Sequence, residues 1–210
     1  QPPIKDDIKK DHVGWRFSDI KYLPASFWSL LGVAFVLMLA RFSEAFINIR
    51  AKDVGWSIHY LPLLSVGMEL VHAGIAYPIG RRANRTNLNT LLFKGILVLV
   101  ITNIVFITTD SIVGAGIAAM LAGLHMGMTQ GILSTLVAES TPAELRGTAF
   151  ALYYFSSGIA VLIGNTLAGH LSDLIGSTGC FIGGLVFTVL ASILLFFKFE
   201  RREEVHHKWN

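Results

Sequence analysis

The chain has 210 residues, 53% of them hydrophobic and 15% charged, with a mean hydropathy of +0.59 and a net charge of +3. Nine of the charged residues lie in 1–25 and seven in 198–210, which leaves 15 for the 172 residues between. In water that middle would expose apolar surface well beyond the roughly few hundred Å² soluble monomers carry, so a soluble enzyme, a disordered chain and a collagen-like chain are disfavoured and a bilayer is the natural solvent.

Residues 1–25 read as a charged leader on the cytoplasmic side. Trp15, Phe17, Ile20 and Tyr22 within it fit either an interfacial anchor or a solvated tail. No cleavable signal peptide is expected, because the first apolar run begins near Phe27, behind that leader. The chain opens on Gln, so it reads as a piece of something longer. Six apolar segments follow, each near the ~20 residues that cross a bilayer. Their expected limits are 27–49, 59–80, 88–108, 112–138, 143–171 and 177–198. They form a multi-pass, all-α bundle over 26–198, and a cytoplasmic tail occupies 199–210.

The breaks carry turn chemistry. Lys52-Asp53-Val54-Gly55 ends the first span, and Arg81 to Asn87 separates the second from the third. Thr109-Asp110-Ser111 precedes the fourth span, and Ile175-Gly176-Ser177-Thr178 precedes the sixth. Thr141-Pro142-Ala143-Glu144 predicts a capping box, with proline at the first helical position.

Lys and Arg set the expected orientation. One side holds Lys5, Lys9, Lys10, Arg16, Lys21, Arg81, Arg82, Arg85, Lys94, Arg146, Lys198, Arg201, Arg202 and Lys208. The other holds only Arg50 and Lys52. Both ends are therefore expected in the cytoplasm, with the bundle in the cell membrane.

Within lipid, polar side chains must face protein or a wet cavity. The first span carries Arg41, Glu44 and Asn48 at i, i+3, i+7, and the second carries Ser65, Glu69 and His72 at i, i+4, i+7. The fourth carries His125, Thr129, Gln130 and Ser134, and the fifth Ser156, Ser157, Asn165 and Thr166. The third and sixth are nearly apolar and read as lipid-facing supports. The pattern repeats after three spans. An odd-numbered repeat reverses its direction in the membrane, so the bundle reads as two inverted three-helix repeats, the logic of many secondary transporters. Gly123, Gly127 and Gly131, and likewise Ala160, Gly164 and Ala168, form rows that let helix backbones approach, with a hinge role as the other reading.

Three stretches then resemble a known family. Leu39 to Phe46, the run Tyr77 to Arg85 and the run Pro142 to Phe150 are similar to the C-terminal six-helix half of a major facilitator superfamily transporter. The second contains Gly80-Arg81-Arg82-Ala83-Asn84-Arg85, close to the family's G-x-x-x-D-R loop but with Asn84 in place of Asp. The third begins Pro142-Ala143-Glu144-Leu145-Arg146-Gly147, close to P-x-x-x-R-G. The resemblance implies that Gly80, Asn84, Arg85, Pro142, Arg146 and Gly147 belong to gating loops. It implies further that spans one and four line a solute cavity, that two and five meet an N-terminal six-helix half, and that three and six face lipid.

The expected function is secondary active transport of a small solute by alternating access, coupled to protons, with the chain present as the C-terminal half. Arg41 and Glu69 fall near the middle of their spans, where a charge costs about 2.5–3.5 kcal/mol unless paired or wet. Arg41 can pair with Glu44, and Glu69 with His72. On one reading Arg41 anchors an anionic or polar solute while Glu44, Glu69 or His72 changes protonation; on the other the same groups form an ion-pair network that locks the helices. Asn48, His125, Thr129, Gln130 and Asn165 join the candidate set, with packing the favoured reading of His125, and similarly of Gln130 and Asn165.

Three rivals have less support. A split half with no transport of its own fits the same residues. An intramembrane protease would need a Ser–His pair, but Ser157 and His170 lie almost 20 Å apart along one helix at about 1.5 Å per residue. A channel would need N-P-A motifs, which the sequence lacks. Cys180 is the sole cysteine, and His206-His207 have no further ligands nearby, so no metal and no cofactor is expected. The basic residues sit in loops and ends rather than in a nucleic-acid footprint, so the expected partners are the bilayer, a small solute and the N-terminal half.

Overall fold

The computed structural model describes residues 17–83 and 85–207, with side chains over 20–83 and 85–197. Residues 1–16, Asn84 and 208–210 lie outside the described residues, and with them Lys5, Lys9, Lys10, Trp15, Arg16 and Lys208. Among the described residues the chain is helical, with no strand. The helices are α1 (Ala25–Leu39), α2 (Glu44–Asp53), α3 (Leu61–Ala83), α4 (Leu88–Thr108), α5 (Ile112–Glu139), α6 (Arg146–Ile175) and α7 (Gly179–His207). Together they make six segments long and apolar enough to cross a membrane.

Five of the six expected spans are single helices close to the expected limits. The first is not. It stops at Leu39 and restarts at Glu44, leaving Ala40 to Ser43 outside regular helix. Arg41 therefore does not share a continuous helical face with Glu44 and Asn48, as the i, i+3, i+7 spacing predicts. Ser43 caps the restarted helix, its hydroxyl accepting from the Ala45 N–H at 3.3 Å.

The capping box at Thr141 is also absent. Pro142 to Leu145 form a single 3-10 turn closed by Leu145 N–H on the Pro142 carbonyl at 3.0 Å, and α6 begins only at Arg146. The buried Thr141 hydroxyl has no hydrogen-bond partner among the described residues. Side-chain caps occur elsewhere: Asn87 accepts from Asn89 N–H at 2.9 Å and Ser111 from Gly114 N–H at 3.0 Å. At the C-terminal end, α7 runs on through His207 into the stretch read as tail.

The packing exchanges elements between the two halves of the chain. α5 packs on α3 and α4, while α1 packs on α6 and α7, and α4 joins α7. The leading span of each three-span repeat thus sits with the second and third spans of the other repeat. One core, around Phe27, Leu30, Leu37, Leu92, Ile96 and Leu133, lies toward the end where α1 begins. A second, around Ala51, Phe106, Ala115, Ala119, Cys180 and Phe181, lies toward the opposite end.

The rows of small residues set how closely these helices approach. A Cβ on Gly123 would collide with the Met68 carbonyl, and one on Gly127 would sit 2.7 Å from the His72 carbonyl, so α5 lies backbone against backbone on α3. Gly131, the third of that row, faces open space. On α6, Ala160, Gly164 and Ala168 are all buried.

α4 and α7 turn apolar stripes outward, with Leu97, Ile101 and Ile104 on one and Val186, Val189, Ile193 and Phe197 on the other. Their polar groups point inward. Asn103 donates to Leu99 O at 3.0 Å and to Thr188 Oγ1 at 3.4 Å, while Thr188 donates to Gly184 O at 2.6 Å. The two supports are therefore also tied to each other through a small buried polar cluster, which hydropathy alone does not reveal.

Candidate functional site

The break between α1 and α2 aims its three central residues in different directions. Phe42 goes to the back wall, where a Cβ on Gly184 of α7 would meet its ring at 2.7 Å. Ser43 turns its N–H to Asn165 Oδ1 on α6 at 2.8 Å. Arg41 is half-buried, and its nearest polar partner is the Met38 sulfur, 3.8 Å from Nη1. The expected Arg41–Glu44 ion pair is not formed: no carboxylate among the described residues comes within 4.0 Å of the Arg41 guanidinium. Tyr153 and Glu69 lie within its electrostatic reach, and so does His125.

The second expected pair is formed. His72 Nδ1 lies 3.0 Å from Glu69 Oε2, one turn along α3, with the carboxylate half-exposed and the imidazole mostly covered. Asn48 on α2 donates to Ser65 on α3 at 3.4 Å. The polar faces of α2 and α3 therefore meet, with Glu69 and His72 continuing the stripe. His72 also borders a cleft of about 620 Å³ between the second half of α3 and the second half of α5. Gln130, Thr135 and Glu139 supply its polar wall, and Gly127 and Gly131 make room for it.

His125 and Thr129 do not join this surface. Both are buried. His125 Nδ1 lies 2.8 Å from Gly95 O on α4, and since a carbonyl only accepts, Nδ1 carries the proton and donates. Thr129 donates to the His125 carbonyl at 2.8 Å. His125 fastens α5 to α4, while the Thr129 bond stays within α5, so the packing reading of His125 is the one the geometry favours. Asn165 is likewise engaged with backbone rather than facing open space: its Nδ2 donates to Val161 O at 2.8 Å while Oδ1 receives Ser43 N–H.

The loop candidates gather at one end of the bundle. Gly80 and Leu88 border the same cleft as Glu139, and Ser26 at the start of α1 donates to Ser140 O at 3.4 Å. Arg85, Pro142, Arg146 and Gly147 are exposed there, and Arg146 Nε donates to the Ala138 carbonyl at the end of α5, at 3.3 Å. Asn84 falls outside the described residues.

The family comparison decides what this bundle is. The model of the Major Facilitator Superfamily matches residues 25–209. The chain belongs to the Major Facilitator Superfamily. It is accordingly a multi-pass membrane protein of a transporter family, and the six membrane-spanning segments agree with half of a major facilitator fold. A search of curated proteins returns no match.

Two residues of this major facilitator bundle escape sequence reasoning. Arg50 reads as a loop cation, yet it is buried and donates to Phe106 O at 3.1 Å and Thr109 O at 2.6 Å, with Asp110 Oδ1 at 3.0 Å. Its place in the last turn of α2, with an Asp in the loop between α4 and α5, is the signal available beforehand. Tyr153 reads as one aromatic among many, and only the packing of α6 on α1 brings it to Arg41.

Proposed function

We propose that the chain is the C-terminal half of a proton-coupled secondary transporter, working by alternating access against an N-terminal six-helix half, in the cell membrane with both ends cytoplasmic. The observation that carries this reading is Arg41. It stands in a break of a membrane-spanning segment, with no carboxylate among the described residues in contact, and across from the Glu69–His72 pair. An arginine in that position is costly unless it has water or a counter-charge, and an anionic or polar solute supplies one. Broken spans near the midplane are where secondary transporters bind their cargo.

The proton role falls to the carboxylates. Glu69 is half-exposed beside an imidazole, the side chain whose charge changes most readily near neutral pH. Glu44 opens α2 next to the break. The partner half is supported by the outer faces of α3 and α6. Leu63, Val66, Leu70 and Tyr77 stand exposed on one, and Tyr154, Phe155 and Leu162 on the other, beyond the apolar stripes of α4 and α7. Orientation is supported by charge: Lys21, Arg81, Arg82, Arg85, Lys94 and Arg146 belong to the end where α1 starts, against Arg50 and Lys52 at the other.

The test uses the parent protein in proteoliposomes, with a panel of small solutes scored by solute-driven proton movement. Glu69→Gln and Glu44→Gln are then measured with the solute that responds. Loss of pH-driven uptake in either supports the assignment. Unchanged pH-driven uptake in both removes the proton role, and a parent protein that moves none of the solutes with or against protons removes the coupled mechanism.

A further inference from the structure

We infer that Asn165 is a positioning residue: its side-chain amide, carried on α6, holds the α1–α2 break in place and thereby sets where Arg41 stands, without itself meeting the solute. The inference rests on the reading of Arg41 given above, but its geometry stands independently.

A helix broken inside a bilayer leaves backbone groups that water would otherwise satisfy. At this break several of those groups are met within the protein. Ala40 and Arg41 N–H turn back to Leu37 O and Met38 O, at 3.1 and 3.2 Å, which tightens the last turn of α1. Ala45 N–H goes to the Ser43 hydroxyl, and Phe46 N–H to Ser43 O at 3.0 Å. Ser43 N–H has no acceptor on its own span, and Asn165 Oδ1 supplies one at 2.8 Å. The same amide is fixed at its other end, because Nδ2 donates to Val161 O one turn back on α6. Both ends of the Asn165 amide are thus engaged by backbone, which fixes its orientation.

The approach that makes this bond possible comes from the preceding residue. A Cβ on Gly164 would lie 2.6 Å from the Leu39 carbonyl oxygen. Only glycine allows the α6 backbone to lie against the end of α1, and Asn165 is then within reach of Ser43. Two adjacent residues on α6 hold both sides of the break: Gly164 against Leu39 before it, Asn165 on Ser43 after it. Phe42, seated on Gly184 of α7, closes the third side. Arg41 is the member of the break left to face the polar surface. Since α6 also presents an exposed apolar face, a shift of α6 moves the seat of Arg41 with it.

The test needs no solute. In the full chain, hydrogen exchange over the 40–45 segment and phenylglyoxal modification of Arg41 are followed for Asn165→Leu, Asn165→Asp and Gly164→Ala. Asn165→Leu removes the acceptor, so exchange in that segment rises about tenfold, the worth of one net hydrogen bond, and Arg41 modification speeds up severalfold. Asn165→Asp keeps the acceptor oxygen for Ser43 N–H but gives up the Nδ2 donor to Val161 O, so exchange over the segment stays below that of the Leu variant. Buried Arg50 serves as the internal reference, its modification unchanged where the bundle is intact. Should Asn165→Leu fail to fold, Gly164→Ala carries the test, because it pushes the α6 backbone off Leu39 with the amide in place and gives the same two changes. Wild-type exchange and Arg41 reactivity in the folded variants overturn the inference, as does an Asp variant that behaves like the Leu variant. Loss of proton coupling in the transport assay, with these results unchanged, would overturn the proposed function and leave the positioning role standing.

Discussion

Arg50 and Asp110 form an ion pair of unequal partners: Nη2 lies 3.0 Å from Oδ1, yet the arginine side chain is 8% exposed and the aspartate 91%. The buried partner does more than pair. It also saturates the carbonyls of Phe106 and Thr109, at the C-terminal end of α4. Replacing Arg50 with Met leaves those acceptors bare in a dry place, at about 1–3 kcal/mol each, and lowers the melting temperature of the purified protein in detergent. Asp110→Asn removes only a solvated charge and costs under about 1 kcal/mol. Equal effects from the two substitutions would mean that the pair, rather than the carbonyls, holds the loop.

Gly123→Ala and Gly131→Ala separate packing from composition within one row. The first drives a methyl into the Met68 carbonyl, while the second meets nothing within 4 Å. Overpacking of this kind costs about 1–3 kcal/mol, so the first variant unfolds at lower temperature or lower denaturant. The second stays within about 0.5 kcal/mol of wild type. Thermal unfolding in a single detergent compares them directly.

The caps give a contrast of the same sort. Ser111→Ala removes an acceptor used by Gly114 N–H and costs about 1 kcal/mol. Thr141→Val removes a buried hydroxyl that has no partner, and is neutral or stabilising. A Thr141→Val loss as large as that of Ser111→Ala would restore the capping box at the start of α6.

His125 is predicted to matter for packing and not for protons. His125→Leu removes the buried hydrogen bond from α5 to the Gly95 carbonyl and destabilises by about 0.5–1.5 kcal/mol. His125→Asn, which can donate to the same oxygen, recovers most of that loss. In the parent transporter the pH profile of uptake keeps its shape in the Asn variant, and a displaced profile would bring His125 into the proton path.

Much of the bundle is legible without coordinates, because the bilayer constrains sequence so strongly. A span must be apolar over some 20 residues, and the loops between spans carry the charges, so five helix ranges and the alternation of ends follow from hydropathy. The pairing of Glu69 with His72 follows from helical spacing. The break at Ala40 to Ser43 does not. No Pro or Gly marks it, and the groups that stabilise it, Gly164, Asn165 and Gly184, lie more than a hundred residues downstream. The same distance hides Tyr153 from Arg41 and makes Arg50 look like an ordinary loop cation.

By itself the sequence determined the solvent, the number of spans and which of them carry polar faces, since each is a property of local composition at a helical period. The tertiary structure alone decided that the first span is broken, that Arg41 stands apart from Glu44 and that Asn165 and His125 serve backbone carbonyls and amides instead of a cavity. The reason is physical: a buried polar group takes whatever partner the packed helices bring within about 3 Å, and that partner is chosen by how the helices meet.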